Sequence, residues 1–399
     1  MPDDNLYLYS ENGYWKRLHG DYVELHALEE IDGDSVRSSQ LTDIRRLVEK
    51  LSIMEPGKKF DEFNGHCNIR SGMLDLKTFE IKEHDPAHLS RIQLPVSHDP
   101  NAKCPTWERF LSEVLANDSQ LIDLFQEFLG YLLVPDTSHH KALVLVGEGA
   151  NGKSTAIQVI EALLGRQNVC NISLSDLSNS FHRVRLDGKL VNISTELDPK
   201  MLERSDYFKA IVSGDSISAE HKHKPAYDFT PVCKLIFGCN RLPRVRDHSH
   251  AFYRRLTIMP FDRTFEGENA DLHLGKKLIG ELDGVFMWAL RGLQRLREQG
   301  HFTESEVAEA VLAEYRRYNN PVLAFVQDCC ELDAEAITSK DDLYQEYRKQ
   351  MESGGYSPLA KENFFRELYT MHPELEGGRI RVDGQRERVI KGIVMVRII

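Results

Sequence analysis

Hydrophobic residues recur with two different periods along the chain, and each change of period marks a new kind of element. Between residues 105 and 133, apolar side chains return every three or four positions, which predicts two amphipathic helices. The second helix carries an unusually regular stripe: Leu121, Leu124, Phe125, Phe128, Leu129, Leu132 and Leu133. Core packing is the first interpretation of this stripe, and an interface between subunits is the second.

Short apolar runs with the length of buried strands begin after a polar hinge at residues 135–138. They alternate with helical and polar sequence, as in sheets whose parallel strands are joined by crossover connections. The runs lie at residues 141–146, 169–172, 189–194, 234–239 and 256–261. The predicted fold class is therefore α/β, with a parallel sheet flanked by helices.

The sequence on either side of this core has a different character. Residues 1–135 mix short strand-like pieces with turns, include a predicted helix at 42–51, and end in the two amphipathic helices. After residue 319 the pattern restarts with three predicted helices, the first at 322–332, and a hairpin around Asp383-Gly384, which together predict a winged helix. The predicted domains are an N-terminal α+β and helical domain (1–135), the core (136–318) and the winged helix (319–399).

Composition and charge limit the class of protein. The chain is 41% hydrophobic and 28% charged, which is typical of soluble globular proteins. No apolar run approaches the ~20 residues of a membrane span, and the N-terminus does not read as a secretory signal. Seven cysteines without a C-x-x-C pair predict reduced thiols and a cytoplasmic protein. With a net charge of −12, any nucleic-acid surface has to be a local basic patch.

The most informative motif follows the first apolar run. Residues 147–155 read G-E-G-A-N-G-K-S-T, a G-x-x-x-x-G-K-[ST] phosphate loop with a predicted strand before it and a helix after it. Its backbone N–H groups can close on a triphosphate, Lys153 supplies positive charge, and Ser154 offers a hydroxyl to Mg²⁺. The expected cofactors are ATP and Mg²⁺. The predicted binding residues are Gly147, Gly149, Asn151, Gly152, Lys153, Ser154 and Thr155.

Polar residues at the ends of two later strands complete a predicted hydrolysis site. Glu196 follows the run at 189–194, and we expect it to polarise the attacking water or to hold Mg²⁺ through water. Thr195 stands where such sites usually have a first acid, so direct metal contact stays open. Asn240, after the run at 234–239, is expected to sense the γ-phosphate.

Two basic features follow along the chain. Residues 217–229 read as a hairpin whose tip carries Lys222 and Lys224 with histidines beside them, which favours contact with a nucleic-acid backbone. A metal site at the two histidines is the less favoured alternative, because a third ligand is missing. Arg254 and Arg255 precede the last strand, where an oligomeric NTPase places its arginine finger and where arginines are otherwise simply solvated.

As a set, these motifs resemble those of superfamily 3 helicases. More closely, the chain is similar to the helicase part of phage and plasmid primase-helicases related to the poxvirus primase-helicase, and the resemblance extends to both flanking segments. The features that carry it are the phosphate loop at 147–155, the strand end at 190–196, the hairpin at 214–225, the strand at 235–240, Arg254-Arg255, and Phe63-Asn64, Asp75-Leu76, Cys104-Pro105-x-Trp107 and Gly130-Tyr131 ahead of the core.

The resemblance implies an AAA+ ATPase core that assembles as a hexameric ring and moves along single-stranded DNA. It places Lys222 and His223 at the tip of a hairpin that grips DNA inside the ring, with Lys224 beside them. It assigns the arginine finger to Arg255, with Arg254 as second choice. Any basic surface then lies inside the channel, which agrees with an acidic total charge.

The expected function is therefore an ATP-dependent DNA helicase acting in replication of a phage, plasmid or other mobile element. Expected partners are single-stranded or forked DNA, further copies of the chain, and a primase domain or protein. The sequence shows no primase catalytic domain, so the chain is either a helicase-only protein or a fragment of a longer one. Two alternatives stay open: an initiator that uses ATP to assemble on DNA without processive unwinding, and a soluble nucleotide kinase. The basic hairpin and the separate C-terminal domain argue against the kinase.

Overall fold

The computed structural model describes residues 5–18, 20–31, 36–55, 57–195, 197, 202–265, 271, 273–355, 357–382 and 385–396. The chain divides into two compact units, residues 1–311 and 312–399. The predicted segment 1–135 and most of 136–318 thus fall within one unit. Across the described ranges, no helix combines the length and apolarity that a membrane crossing requires.

The first hundred residues form small antiparallel sheets and two exposed helices. One hairpin and one three-stranded sheet contain the strands, and neither helix has a buried residue. The elements are β1 (Tyr7–Tyr9), β2 (Trp15–Arg17), α1 (Tyr22–Glu30), α2 (Ser38–Leu51), β3 (His66–Ile69), β4 (Gly72–Asp75) and β5 (Ile81–Lys82). Helix α2 contains the predicted helix, whereas α1 was not expected.

Two buried helices, α3 (Pro105–Val114) and α4 (Ser119–Leu132), connect this region to the central sheet. Asp118 caps α4 by accepting a hydrogen bond from the Leu121 N–H at 2.9 Å. The whole leucine and phenylalanine stripe of α4 is buried in the core of its own unit. Core packing, the first interpretation of the stripe, is confirmed.

The central sheet has five parallel strands, which confirms the predicted α/β class. Its order is β12-β6-β11-β8-β7, so the first strand of the sheet along the chain lies between the last two. The strands are β6 (Ala142–Val146), β7 (Val169–Cys170), β8 (Val191–Ser194), β11 (Lys234–Cys239) and β12 (Leu256–Pro260). This order brings the carboxyl ends of β6, β11 and β8 side by side.

Helices and one hairpin surround the sheet. They are α5 (Lys153–Leu164), α6 (Ser180–Arg183), α7 (Asp206–Ser213), the antiparallel pair β9 (Ile217–Ala219) and β10 (Tyr227–Phe229), α8 (His250–Tyr253), α9 (Leu274–Ile279) and α10 (Leu282–Gln299). Helix α11 (Glu306–Asn319) follows, and the boundary between the two units falls within it. Helices α4 and α10 pack closely because each has a glycine at the contact: a Cβ on Gly130 would lie 2.5 Å from the carbonyl oxygen of Ala289, and one on Gly292 would collide with that of Gln126.

The C-terminal unit has its own core and a three-stranded antiparallel sheet in the order β13-β15-β14. Its elements are α12 (Pro321–Cys329), β13 (Cys330–Ser339), α13 (Lys340–Ser353), α14 (Lys361–Met371), β14 (Glu376–Val382) and β15 (Gln385–Met395). This is the element order of a winged helix. The predicted helix at 322–332 is wrong at its end, because residues from Cys330 onward pair with β15 as a strand.

Candidate functional site

The loop between β6 and α5 is held tightly against its surroundings. The Gly147 N–H donates to the carbonyl oxygen of Cys239 at 3.2 Å, which fixes the start of the loop beside β11. Gly152 has a φ of +89°, and a Cβ there would lie 2.8 Å from Cγ1 of Val114 on α3. Any other residue would strain the backbone and press the loop away from α3. The loop leads directly into the N-terminus of α5, an arrangement that favours phosphate binding.

Lys153 lies at the first position of α5 and is only 8% exposed. Its Nζ donates to Oδ1 of Asn151 at 3.0 Å and to the carbonyl oxygen of Gly147. Asn151 in turn donates to the carbonyl oxygen of Phe261 at 2.9 Å, which ties the loop to the residue after β12. Burial lowers the pKa of Lys153. Among the described residues no carboxylate pairs with this ammonium, so an anionic ligand would gain a buried, charge-assisted contact.

The remaining loop residues are more accessible. Ser154 is exposed and Thr155 half-buried in the first turn of α5, while Gly149 is exposed with open space around its Cα. Glu148 lies 3.5 Å from Arg241 in an exposed ion pair, which links the loop to the residue after Asn240. Both hydroxyls therefore stand where the loop meets solvent.

Of the two strand ends predicted to complete the site, that of β11 lies next to the loop and that of β8 lies one strand further away. Cys239 is directly opposite Val146 in the sheet, and Asn240 follows it as an exposed residue. Thr195 comes after β8, and a Cβ on Gly238 of β11 would lie 3.5 Å from the Thr195 Cα. Glu196, the predicted water-activating carboxylate, lies outside the described residues.

A cavity of about 400 Å³ opens beside the loop, and it was not predicted from the sequence. Apolar side chains make up part of its wall, and a few polar groups surround them, as in many small-molecule sites. It is lined by Thr106, Arg109, Phe110, Glu113 and Val114 of α3, by Ala150, Gly152 and Thr155, and by Phe265, Asp271 and Leu274. Within α3, the polar residues Arg109 and Glu113 lie at i and i+4, but the other walls come from distant parts of the chain.

The two adjacent arginines before β12 have different environments. Arg255 is 8% exposed; its Nε and Nη2 donate to Ser213 Oγ at 3.1 and 2.6 Å, and its Nη1 donates to the carbonyl oxygen of Ala251 at 2.5 Å. Burial lowers the pKa of Arg255, and the neighbouring Arg254 adds to this effect. Arg254 itself is exposed. The first choice for the arginine finger, Arg255, is therefore the buried residue, and the second choice, Arg254, is the exposed one.

Helix α7 is held at both ends by the segment that joins Asn240 to β12. At its N-terminal end, Asp247 accepts hydrogen bonds from Lys209 Nζ at 2.7 Å and from Ser205 Oγ. At its C-terminal end, Ser213 accepts the two hydrogen bonds from Arg255. Burial alone would raise the pKa of Asp247, but these hydrogen bonds and those from Ser249 hold it well below its usual range.

Three residues separate the end of α7 from the start of the basic hairpin β9–β10. Lys222, His223 and Lys224 are exposed at its tip, and the Lys224 N–H closes the turn on the His221 carbonyl oxygen at 3.0 Å. The His221 ring stacks on Tyr227, with centroids 5.8 Å apart. The described part of the chain contains no group of three or more His, Cys, Asp or Glu side chains arranged to hold a metal ion.

The base of the hairpin is fixed to α6 and α7 by one buried arginine. Arg183 donates from Nε to the carbonyl oxygen of Ser218 at 2.8 Å and lies 3.6 Å above the ring of Tyr207. A two-stranded hairpin is only marginally stable alone, so this anchor and α7 determine where the tip lies.

Three family models match successive parts of the chain. One described as "D5 N terminal like" matches residues 6–116, a family of unknown function (DUF5906) matches 145–255, and one described as "Poxvirus D5 protein-like" matches 317–391. The middle match spans the phosphate loop, α7, the hairpin and the arginine pair. The resemblance to poxvirus-type primase-helicases is thereby confirmed in both flanking regions.

Several viral proteins are similar to the chain at low identity. Proteins with the name "Putative helicase" match from invertebrate iridescent virus 6 (22% identity over 63% of this chain and 29% of that protein) and from Acanthamoeba polyphaga mimivirus (26% over 61% and 28%). A further one is found in Frog virus 3, with 23% identity over 52% of this chain and 24% of that protein. The matched part of the chain spans less than a third of the length of these relatives.

Solved structures of the NrS-1 C-terminal region in its apo form share the fold. One has a TM-score of 0.53 at 12% identity, over 96% of this chain and 93% of that chain; another has a TM-score of 0.52 over 88% and 90%. This likeness shows the fold. The D5-like matches and the helicase-named relatives make the chain a primase-helicase-like protein, with D5-like regions on both sides of a phosphate-loop core.

Proposed function

We propose that this protein is an ATP-dependent DNA helicase that acts in replication of a virus, plasmid or other mobile element, as a ring of identical subunits on single-stranded DNA. The observation that carries the proposal is the position of α7. This helix leads into the basic hairpin, and both its ends are bonded to the segment between Asn240 and β12. A nucleotide kinase has no use for such a link.

The residues around the phosphate loop fit MgATP. Because Gly147 and Gly152 have no Cβ, the loop packs directly against Phe261 and Val114, and this packing would hold its backbone in place at the N-terminus of α5, where phosphates bind. Lys153 would exchange its neutral acceptors for phosphate oxygens, and the Ser154 hydroxyl would hold Mg²⁺. The metal would neutralise phosphate charge. We assign the cavity beside α3 to the nucleoside, because it is concave, partly apolar and shares Gly152 with the loop.

In this proposal Asn240 contacts the γ-phosphate or its attacking water, and Glu196 activates that water. The arginine finger is Arg254, because a side chain that completes a neighbouring subunit's site has to be exposed. Arg255 has a different role. Its guanidinium donates to the carbonyl oxygen of Ala251 in α8, the helix that precedes Arg254, and to Ser213 at the end of α7.

Nucleotide-driven movement can therefore reach the DNA through covalent and hydrogen-bonded contacts within one subunit. A shift of Arg254 or Asn240 displaces the segment between Asn240 and β12, and this segment holds α7 through Asp247 and Arg255. Helix α7 then moves the hairpin, whose tip grips the DNA backbone with Lys222 and His223 and has Lys224 beside them.

Strand displacement from a forked DNA, measured with ATP and alongside a native mass measurement, tests this function. We expect unwinding that requires ATP hydrolysis, and an assembly of several subunits, hexameric by the family resemblance. ATP-dependent binding to duplex DNA without displacement would instead support the initiator alternative. A monomer whose ATPase activity is unaffected by DNA would exclude both the helicase and the initiator.

A further inference from the structure

Four arginines share one face of the C-terminal hairpin β14–β15, here called the wing. In the register of this pair, Arg379 is directly opposite Arg388 and Arg381 is directly opposite Arg386. Directly opposed residues of an antiparallel pair point to the same face with Cβ atoms about 5 Å apart, and residues two apart along a strand also share a face. All four side chains are exposed.

This arrangement is unfavourable in the protein alone. Like charges at directly opposed positions destabilise a hairpin, and here two such pairs follow each other. Throughout the described ranges no carboxylate forms an ion pair with any of the four, and the nearby Glu387 is opposite Ile380 on the other face. A ligand with a regular row of negative charges would remove this repulsion.

The same face continues toward the helices of the unit. Gly377 lies opposite Ile390, which is fully buried in the core. A Cβ on Gly377 would lie 3.4 Å from Nζ of Lys340, and that ammonium sits 5.0 Å above the ring of Tyr369. Lys340 thus extends the row of positive charge at the N-terminus of α13, where the helix dipole disfavours a cation.

We propose that this face binds the phosphate backbone of double-helical DNA, independently of sequence and of ATP. Arginine forks match phosphate oxygens, and none of the positions on this face of the two strands, from Gly377 to Arg381 and from Arg386 to Ile390, is aromatic. The ring beside Gly377, that of Tyr369, lies beneath the Lys340 ammonium and so does not offer that face to an unpaired base. Proteins that hold single strands combine positive charge with aromatic platforms, so the duplex is the better fit.

The test compares two double variants of the full chain. Arg379→Gln with Arg388→Gln removes one opposed pair; the control, Arg348→Gln with Lys349→Gln, removes the same charge from α13, where both side chains face glutamates. Binding to a 20-base-pair duplex and to oligo-dT, without nucleotide, is measured by anisotropy over a range of salt. The wing variant should lose about 10- to 100-fold of its duplex affinity near 0.1 M salt, and its log–log salt slope should fall by about 2.

Duplex binding by the control variant, and oligo-dT binding by the wing variant, should each stay within about twofold of the parent protein. Equal loss in the control, equal loss for oligo-dT, or no loss for the duplex would each overturn the proposal. A second variant separates binding from folding. Arg388→Glu places opposite charges across the wing, so the C-terminal unit should melt a few degrees higher while duplex binding falls. A lower melting temperature together with weaker binding would show a structural role for the arginine and sink the assignment.

Discussion

The protein contains two basic hairpins that differ in almost every other respect. Hairpin β9–β10 has three residues in each strand and, among the residues that the structure describes, pairs with no third strand. It is anchored by Arg183 and by α7. The wing has strands of seven and eleven residues, pairs with β13, and is fixed by the buried Ile390 and Ile393. The first is attached to parts of the nucleotide site, whereas the second belongs to a separate hydrophobic core.

This difference suggests that hairpin β9–β10 and the wing have different functions. A short hairpin whose position depends on one helix can follow that helix when a nucleotide is hydrolysed. A long hairpin in a three-stranded sheet keeps its place and presents a constant row of charge. We therefore expect the tip of β9–β10 to be essential for movement on DNA and the wing to contribute affinity that does not depend on ATP.

The largest effect should come from the phosphate loop. Lys153→Ala removes the buried ammonium and should reduce ATPase and strand displacement together, by at least about 100-fold each. Duplex binding by the wing should be unchanged, because it lies in the other unit. Phosphate release and anisotropy on the same preparation measure both. A matching loss of duplex affinity would remove the distinction between the two hairpins.

Arg254→Ala should come next, with a fall in ATPase of about 10³-fold if the side chain completes a neighbouring site. Mixing this variant with Lys153→Ala subunits should restore part of the activity, since each supplies what the other lacks. Arg255→Ala should behave differently: it leaves Ser213 without its donors and should lower stability by about 1–3 kcal/mol. If ATPase activity recovers when Lys153→Ala subunits are mixed with Arg255→Ala but not with Arg254→Ala, the arginine finger is Arg255.

Changing the tip of β9–β10 should separate hydrolysis from movement. Lys222→Ala with His223→Ala removes exposed side chains that make no contact with the phosphate loop, so basal ATPase should stay near normal. Strand displacement should fall by roughly 10-fold or more, since backbone contacts provide most of the affinity for nucleic acid. The wing variant Arg379→Gln with Arg388→Gln is the contrasting sample. Equal loss of ATPase and displacement at the tip would contradict a gripping role.

Much of the first unit follows from its sequence, because its signals are local. The phosphate loop, the buried strands around it and the hairpin with its tip are all encoded in runs of fewer than twenty residues. Helix α1 gave no such signal, since none of its residues is buried. Strand β13 was not predicted for another reason: its alternation is weak, and its pairing partners in β15 lie 50 to 65 residues later in the chain.

Local sequence patterns are also insufficient to predict parts of the candidate site. Two adjacent arginines look alike in a sequence, and only the packing of α8 and α7 decides that Arg255 is buried and Arg254 exposed. The cavity beside the loop joins α3 to residues more than 150 positions later, so no local pattern could reveal it. The bonds that hold α7 at both ends are likewise visible only in three dimensions.

The smallest effect should come from the hydroxyl at the end of α7. Ser213→Ala removes the acceptor for Arg255 but leaves the nucleotide site and the hairpin tip intact. We expect ATPase within about threefold of the parent and a several-fold drop in base pairs opened per ATP; Ser213→Thr, which keeps the hydroxyl, should recover most of it. Hydrogen exchange of residues 217–229 with and without a non-hydrolysable ATP analogue gives a second readout. If the analogue changes hydrogen exchange of the hairpin equally in Ser213→Ala and in the parent, the coupling between nucleotide and hairpin does not depend on this hydrogen bond. A proportional loss of ATPase and unwinding would mean that the hydroxyl only stabilises the fold.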